Sequence, residues 1–416
     1  MSEPAIFVLI HDGQKQYFAD HWAHSSLHRE IAWGPEALET WLAADEEIDD
    51  WSDEASGGVV VDFDNQRMVW YGEDSMLSVP RVAKVFDQLL QAAWPGYEIK
   101  YASRGLMDLA EAAGEPDAED YDDELHSRST SVRDAAGIYW DDGDEDEEVE
   151  YEFDEDNPHA WVTLIDSEGA VRHRRLSEVS SDLIHGHASG LNQLAELPAA
   201  EIPEESIVTE GMWIDQSCQE IGFWGNRKSV ACFEQIQKSW EGWNVKWAEE
   251  GYSDQCSVSG PSGVPMTEEQ ALGKVIPTIL STQRLDARAI FGAMGGQIKK
   301  MAVKATGCLL LVICSPVLIY GAISGSWQAA LITVAIVAAI VFTVFKVLET
   351  KFKRNFAVPS LQQEEEEETR PTAAGSLKES ERRRVLDQIL TKAGLPSLAK
   401  IEPHFDFENT LDGLLS

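Results

Sequence analysis

One pattern of apolar and polar residues occurs twice within the first 258 residues of the chain. GGVVVDFDNQRMVWYG (57–72) aligns without a gap on EGMWIDQSCQEIGFWG (210–225). FDQLLQAAWPGYEIKYASRGLMD (86–108) matches CFEQIQKSWEGWNVKWAEEGYSD (232–254), and upstream IFVLIHDG resembles WVTLIDSEG. Three blocks in the same order predict a duplicated unit of about 100 residues.

Each unit has the same predicted order of elements. A short apolar run ends in a turn signal, HDG or DSEG, and leads to a second strand, as in a hairpin. Helical stretches then alternate with strands, which predicts a ββαββαβ unit of the α+β class. We expect an antiparallel sheet with helices on one face, once over residues 1–113 and once over 158–258.

The last strand of each unit places large aromatic residues on one side. Side chains alternate between the faces of a strand, so Tyr97 and Tyr101 share a face, as do Trp243 and Trp247. The favoured interpretation is a core beneath the helices. The alternative is an exposed aromatic face that binds a peptide or carbohydrate, and these four residues are the candidate binding residues.

An acidic segment, residues 114–157, separates the two units. Between Glu115 and Asn157 it holds 20 acidic side chains and two arginines, which predicts a solvated linker without a core. Its DDGDEDEE run lacks the spacing of an EF-hand, so no specific calcium site is predicted. The formal charge of −40 repels phosphate backbones and excludes nucleic acid as a partner.

Two apolar runs later in the chain predict a transmembrane hairpin over residues 305–345. ATGCLLLVICSPVLIYGAI and WQAALITVAIVAAIVFTVF each hold 19 residues without a charge, with SGS between them. Each run can cross about 30 Å of hydrocarbon as a helix. The alternative is a helical hairpin buried in a soluble core, which the lack of a polar face disfavours.

Basic residues flank this hairpin on both sides. They are Lys299, Lys300, Lys304, Lys346, Lys351, Lys353 and Arg354. The positive-inside rule therefore predicts an integral membrane protein with cytoplasmic N- and C-termini. Five cysteines without metal-ligand spacing, and an N-terminus that reads as a strand, agree with this orientation.

Helical segments are predicted before and after the hairpin. Residues 264–304 form a juxtamembrane segment that opens with a capping-box pattern from Thr267 to Gln270. Residues 346–375 are a basic flank and a Glu-rich linker. The C-terminal tail, 376–416, is expected to hold a short helix that docks on the tandem domains or on a partner.

The C-terminal helix has predicted start and stop signals. Ser376 and Glu379 match a capping box, and Gly394 supplies the stop. The apolar stripe between them consists of Val385, Leu386, Ile389 and Leu390.

No residue pattern assigns a catalytic residue, a cofactor or a metal. Asp62 and Asp215 recur at strand ends, where an acid commonly caps a turn; a catalytic pair would require the two to face each other. His21, His24 and His28 would share a helical face, but the second unit has no matching histidines. No P-loop, nucleophile elbow or kinase signature is present.

These patterns favour a non-enzymatic, membrane-anchored binding, scaffold or sensor protein. Its tandem cytoplasmic interaction domains would hold an unidentified protein partner at the lipid bilayer, and duplication would raise avidity. The alternative is a membrane-acting effector whose hairpin perturbs the bilayer when the soluble domains are triggered. An enzyme that uses Asp62 and Asp215 is a third class without supporting motifs.

Overall fold

A computed structural model describes most of the two repeats and part of the C-terminal tail. The described residues are 4–20, 23–24, 26–44, 46–52, 55–72, 75–115, 131–137, 159–260, 263–281, 372–373, 375 and 377–405. All of them belong to one compact unit. The predicted hairpin at 305–345 and most of the acidic linker lie outside the described residues.

The first repeat is built on a five-stranded sheet. Its strands are β1 (Ala5–His11), β2 (Gln14–Asp20), β3 (Gly57–Asp62), β4 (Arg67–Tyr71) and β5 (Glu98–Tyr101), in the order β2-β1-β3-β4-β5. β1 pairs in parallel with β3, and β4 with β5, whereas the β1–β2 and β3–β4 pairs are antiparallel. The sheet is therefore mixed, and the prediction of an antiparallel sheet is wrong. Parallel strands need a long connection, and the helical segments before β3 and β5 provide it. A tight hairpin joins only antiparallel strands.

Helices cover both faces of this sheet. They are α1 (Leu27–Ile31), α2 (Pro35–Leu42), α3 (Pro80–Ala93) and α4 (Leu106–Ala113). The first three pack on the face that carries Phe7, whereas α4 packs on the face that carries Ile6 and Val8. The predicted unit lacked α4 and had helices on one face only. The continuous apolar run of β1 is buried on both sides, as is typical of strands between two helical layers.

The second repeat has the same architecture. Its strands are β6 (His159–Ile165), β7 (Val171–Leu176), β8 (Val208–Asp215), β9 (Glu220–Gly225) and β10 (Asn244–Trp247), in the order β10-β9-β8-β6-β7. Its helices are α5 (Val132–Ala135), α6 (Ser181–His185), α7 (His187–Glu196), α8 (Ser229–Ser239) and α9 (Tyr252–Ser259). The predicted α+β class and the internal repeat are both confirmed.

The repeated WPGY and WEGW segments make the same turn in both repeats. The Trp94 and Tyr97 rings meet edge to face at 5.2 Å, and the Trp240 and Trp243 rings do so at 5.1 Å. Both leading tryptophans are buried in the core of their repeat. The two copies therefore preserve a packing unit that joins the end of a helix to the following edge strand.

Part of the predicted acidic linker belongs to the second repeat. Ser131 caps α5 by accepting a hydrogen bond from the Asp134 amide at 3.1 Å. Val132, Ala135 and Ala136 are buried in the core of this repeat. Residues 131–137 thus form an N-terminal extension of the second repeat.

Three helices from later in the chain pack on the core of the first repeat. These are α10 (Glu268–Leu280) and α11 (Glu379–Ala393), followed by the short α12 (Leu398–Ile401). Buried residues of all three helices join the same cluster as Phe7 and Leu89. The predicted stripe on α11 is confirmed, since Leu386, Ile389 and Leu390 are buried and Val385 packs beside them.

The ends of these helices test the predicted capping signals. The capping box at the start of α10 is confirmed, with bonds of 3.2 Å to the Thr267 hydroxyl and 2.9 Å to the Gln270 side chain. The box predicted at Ser376 and Glu379 is wrong, because α11 begins at Glu379 itself, with Lys378 at the N-cap. Gly394 ends α11 in the left-handed conformation, as predicted.

The described helices are short. The longest, α11, has 15 residues. In the part of the chain that the structure describes, no helix has both the length and the apolar character needed to cross a membrane.

Candidate interaction site between the two repeats

The four predicted binding residues lie on the edge strands or at their ends. Tyr97 and Tyr101 pack on the core of the first repeat, and Trp243 and Trp247 pack on the core of the second. All four are partly buried, so each ring contacts a core and keeps part of its surface accessible. The two pairs therefore pack on different cores.

Arg227 of the second repeat covers the Tyr101 ring of the first. The guanidinium carbon lies 4.8 Å from the centroid of the Tyr101 ring and 4.8 Å from that of Trp70. The same side chain forms an ion pair with Asp87 and donates a hydrogen bond of 3.2 Å to the Ala83 carbonyl. We call this arrangement of Trp70, Ala83, Asp87 and Tyr101 the arginine slot.

The slot contacts the guanidinium through ring faces as well as through the Asp87 carboxylate and the Ala83 carbonyl. The Arg227 side chain is 13% exposed, and its Nε and Nη1 have no hydrogen-bond partner within the described residues. A cation over aromatic rings is attracted by their negative faces, most strongly where water is excluded. A flat guanidinium suits such a slot better than a lysine ammonium, which keeps its hydration more strongly.

At the matching position of the second repeat, an aromatic ring stands in place of the acid. Phe233 occupies the aligned position of Asp87, and its ring meets Trp247 edge to face at 5.7 Å. The Phe223 and Trp247 rings, at 5.6 Å, reproduce the Trp70 and Tyr101 pair of the first repeat, at 5.0 Å. The two copies have therefore diverged, and only the first combines aromatic faces with an acid.

Sequence reasoning missed Arg227 because it lies between two aligned blocks. The second repeat proceeds directly from β9 through Arg227 to α8, whereas the first has an extra 3-10 turn at Ser75–Ser78. The available signal was the spacing of the blocks: residue 57 aligns with 210 but residue 86 aligns with 232, so the second copy is seven residues shorter between them. It marks the place where the second copy departs from the first and contacts it.

Asp62 and Asp215 each cap their own hairpin turn. Asp62 accepts a hydrogen bond from the Asn65 amide at 2.9 Å, and Asp215 accepts one from the Ser217 amide at 2.9 Å. Burial raises the pKa of Asp215, but hydrogen bonds from Ser217 and Cys218 outweigh it and hold that pKa below the usual value. These contacts match the turn role predicted for both acids.

Two of the three candidate histidines, His24 and His28, have structural partners. The His28 Nε2 lies 3.1 Å from the Thr278 hydroxyl of α10. The His24 ring packs against Tyr71 with centroids 5.9 Å apart. His21 is outside the described residues, and among those that are described, no three potential ligands are grouped as a metal site would require.

The arginine slot is thus the best-defined interaction site between the repeats, and it is filled from within the chain. A function has to be inferred from this geometry and from the sequence. Comparison of the chain with protein-family models, with curated proteins and with solved structures gave no match.

Proposed function

We propose that the protein is anchored in a membrane by a hairpin within residues 305–345 and holds a protein partner through its tandem repeats on the cytoplasmic side. The two uncharged runs of 19 residues and their basic flanks motivate the anchor. The partly exposed aromatic residues on the two edge strands motivate the binding role.

One observation carries the hairpin topology. The Thr278 hydroxyl near the end of α10 lies 3.1 Å from His28 Nε2. The Ala373 amide, two residues beyond the segment 282–371, donates a hydrogen bond of 2.7 Å to the Glu30 carboxylate. His28 and Glu30 both belong to the five-residue helix α1, so the segment 282–371 leaves and returns at the same short helix.

This arrangement limits the number of membrane crossings. A folded unit with a polar surface stays on one side of a bilayer, because its backbone and side chains cannot be left unsatisfied in hydrocarbon. A segment that leaves such a unit and returns to it must cross an even number of times. Two apolar runs satisfy this condition, and the basic residues at both ends favour the cytoplasm for the folded unit.

The net charge of the chain and its accessible aromatic rings suggest which kind of protein would bind. A formal charge of −40 attracts a protein with a basic surface and speeds their encounter. The Tyr97, Trp243 and Trp247 rings keep accessible surface beside this acidic background, whereas Arg227 covers Tyr101. Aromatic anchors with a charged rim are the common composition of such interfaces.

A topology map tests the proposal. A reporter that is active only in the cytoplasm is fused at each terminus, at Ser324 between the apolar runs, and at Gly169. Gly169 is the control, because it lies in the β6–β7 turn, where a side chain added at this glycine would meet no neighbouring atom within 4 Å. We expect activity at both termini and at Gly169, and none at Ser324. Cytoplasmic activity at Ser324 would remove the anchor from the proposal.

A second candidate function is suggested by the uncharged apolar runs themselves. An effector could insert this hairpin and leak solutes, since no ionisable Asp, Glu, Lys or Arg interrupts either run. Dye release from liposomes on addition of the full-length chain, abolished by deletion of residues 305–345, would favour this function. Intact liposomes at saturating protein would favour the anchor.

A further inference from the structure

Three aromatic rings meet at the carboxyl ends of β1 and β3 in the first repeat. The two strands pair in parallel, with Ile10 opposite Asp62, so His11 and Phe63 follow side by side. The His11 and Phe63 rings stack with centroids 4.1 Å apart, and the Phe63 and Tyr97 rings meet edge to face at 6.2 Å. All three rings are half-buried and keep accessible surface. We call these three residues the aromatic patch.

Backbone hydrogen bonds hold the patch in place. The Phe63 amide donates to the Ile10 carbonyl at 3.0 Å, which fixes the end of β3 beside the end of β1. The Glu98 amide, next to Tyr97, donates to the Gln66 carbonyl of the β3–β4 turn at 2.8 Å. The rings are therefore positioned before any ligand arrives, and binding would cost little ordering.

Carboxylates surround these rings. The Glu39 carboxylate lies 3.4 Å from His11 Nε2, and its side chain is 49% exposed. Burial raises the pKa of Tyr97, and the nearby charges of Glu39 and Asp62 raise it further. Asp62 and Asp64 each accept two hydrogen bonds within the turns, which leaves part of the capacity of each carboxylate for a ligand. The patch thus combines accessible rings with accessible negative charge.

The chemistry of the patch fits an arginine side chain. A guanidinium is flat, so it can lie on an aromatic ring while it forms hydrogen bonds with a carboxylate. The same protein shows this combination at the arginine slot, where Arg227 lies 4.8 Å from the centroid of the Tyr101 ring and pairs with Asp87. That slot is filled from within the chain, whereas the rings of the aromatic patch face solvent in part.

The second repeat keeps the turn and lacks the patch. Gln216 is aligned with Phe63, and the parallel register of β6 with β8 places Asp166 where β1 has His11. The Gln216 amide nevertheless donates to the Ile165 carbonyl at 2.9 Å, as in the first repeat. The fold of the turn therefore does not require the His11 and Phe63 rings.

We propose that the aromatic patch binds an arginine side chain presented on the surface of the partner protein. The guanidinium would lie on the accessible surface of Phe63 and Tyr97 and pair with Glu39. This inference rests on the partner-binding part of the proposed function, to which it assigns a site and a ligand chemistry. It does not depend on the membrane anchor.

Calorimetric titration of the full-length chain in detergent tests the ligand class. The probes are a capped pentapeptide of alternating glycine and arginine, and its counterparts with lysine or with uncharged citrulline. About 150 mM salt screens attraction beyond roughly 8 Å. We expect the citrulline peptide to bind at least about tenfold more weakly than the arginine peptide, and the lysine peptide at least about threefold more weakly. Absence of arginine-peptide binding at about 10 mM, or equal affinities for arginine and lysine, would overturn the proposal.

Variants locate the site. Phe63→Leu keeps an apolar side chain but removes the ring, and Glu39→Gln removes a charge at an exposed position. Each should weaken binding of the arginine peptide at least about fivefold, whereas Gln216→Leu, at the aligned position of the second repeat, should leave it unchanged. Binding that is unchanged in both Phe63→Leu and Glu39→Gln would refute the assignment. A partner held through Trp243 and Trp247 would then still be compatible with the proposed function, and the topology map tests the anchor separately.

Discussion

The guanidinium carbon of Arg227 in the second repeat lies 4.8 Å from the centroid of the Trp70 ring in the first. This contact joins the connection before α8 of one copy to β4 of the other. Asp87 pairs with the same guanidinium on α3. Duplicated domains often remain independent, but here one copy supplies a side chain that the other encloses.

Replacement of this arginine tests how firmly the repeats are joined. Arg227→Ala should lower the free energy of unfolding by about 2 kcal/mol, because the desolvated cation–π contacts are lost. The Asp87 side chain is 53% exposed, so water can solvate its charge in the variant and limit the loss. Urea denaturation of the full-length chain, followed by tryptophan fluorescence, measures the change.

Two companion variants make this test specific. Arg227→Lys should recover only part of the stability, because an ammonium does not match the flat guanidinium that contacts both rings. Arg67→Ala, at an exposed position of β4, is the matched control. Equal unfolding curves for Arg227→Ala and Arg67→Ala would show that the slot contributes nothing to stability.

A buried glutamine organises the α9 face of the second repeat. The Gln255 amide donates to the Trp161 carbonyl at 3.0 Å and to the Thr163 hydroxyl at 2.9 Å, and it accepts from the Trp224 indole at 2.7 Å. Gln255→Leu would leave these buried groups without their partner, so we expect a loss of about 3 kcal/mol. Differential scanning calorimetry measures this loss, and Gln237→Leu, on the exposed side of α8, should change stability little in the same experiment.

The C-terminal helix is expected to stabilise the first repeat selectively. Leu390 is fully buried in the core that contains Phe7, so Leu390→Ala should cost about 2–5 kcal/mol through lost burial and a cavity. Hydrogen exchange should accelerate at the Phe7 amide and remain unchanged at Val162 in the second repeat. Lys392→Ala, on the exposed face of the same helix, controls for helix propensity. Equal acceleration in both sheets would indicate that the repeats unfold as one cooperative unit.

Asp64 is expected to titrate below the usual range. Backbone hydrogen bonds from Gly13 at 2.8 Å and Asp12 at 2.9 Å favour its charged form and lower its pKa from 3.8. Because the folded-state pKa is the lower one, this stabilisation is present above 3.8 and is lost as the pH falls through the folded-state value. Carboxyl chemical shifts give that value directly. In the Asp64→Asn variant, the corresponding pH dependence of stability should disappear. A pKa of Asp64 at or above 3.8 in the folded protein would contradict the prediction.

Several features of this protein were determined locally and could be predicted from the sequence. The duplication, the α+β class and the capping box at Thr267 depend on residues close together in the chain or on comparison of one segment with another. Gly394 likewise marks a helix end because a left-handed residue is needed at that position. The apolar stripe of α11 indicated that the helix would dock, although not where.

Only the tertiary structure decided which segments meet. Apolar periodicity does not specify a strand's neighbour, so the parallel pairing of β1 with β3 and the helix α4 on the second face were not foreseen. The docking of α11 on the first repeat depends on a complementary surface formed by distant residues. The contact of Arg227 depends on two rings and an acid of the first repeat that are separated in sequence and converge when that repeat folds, and on the second repeat docking beside them.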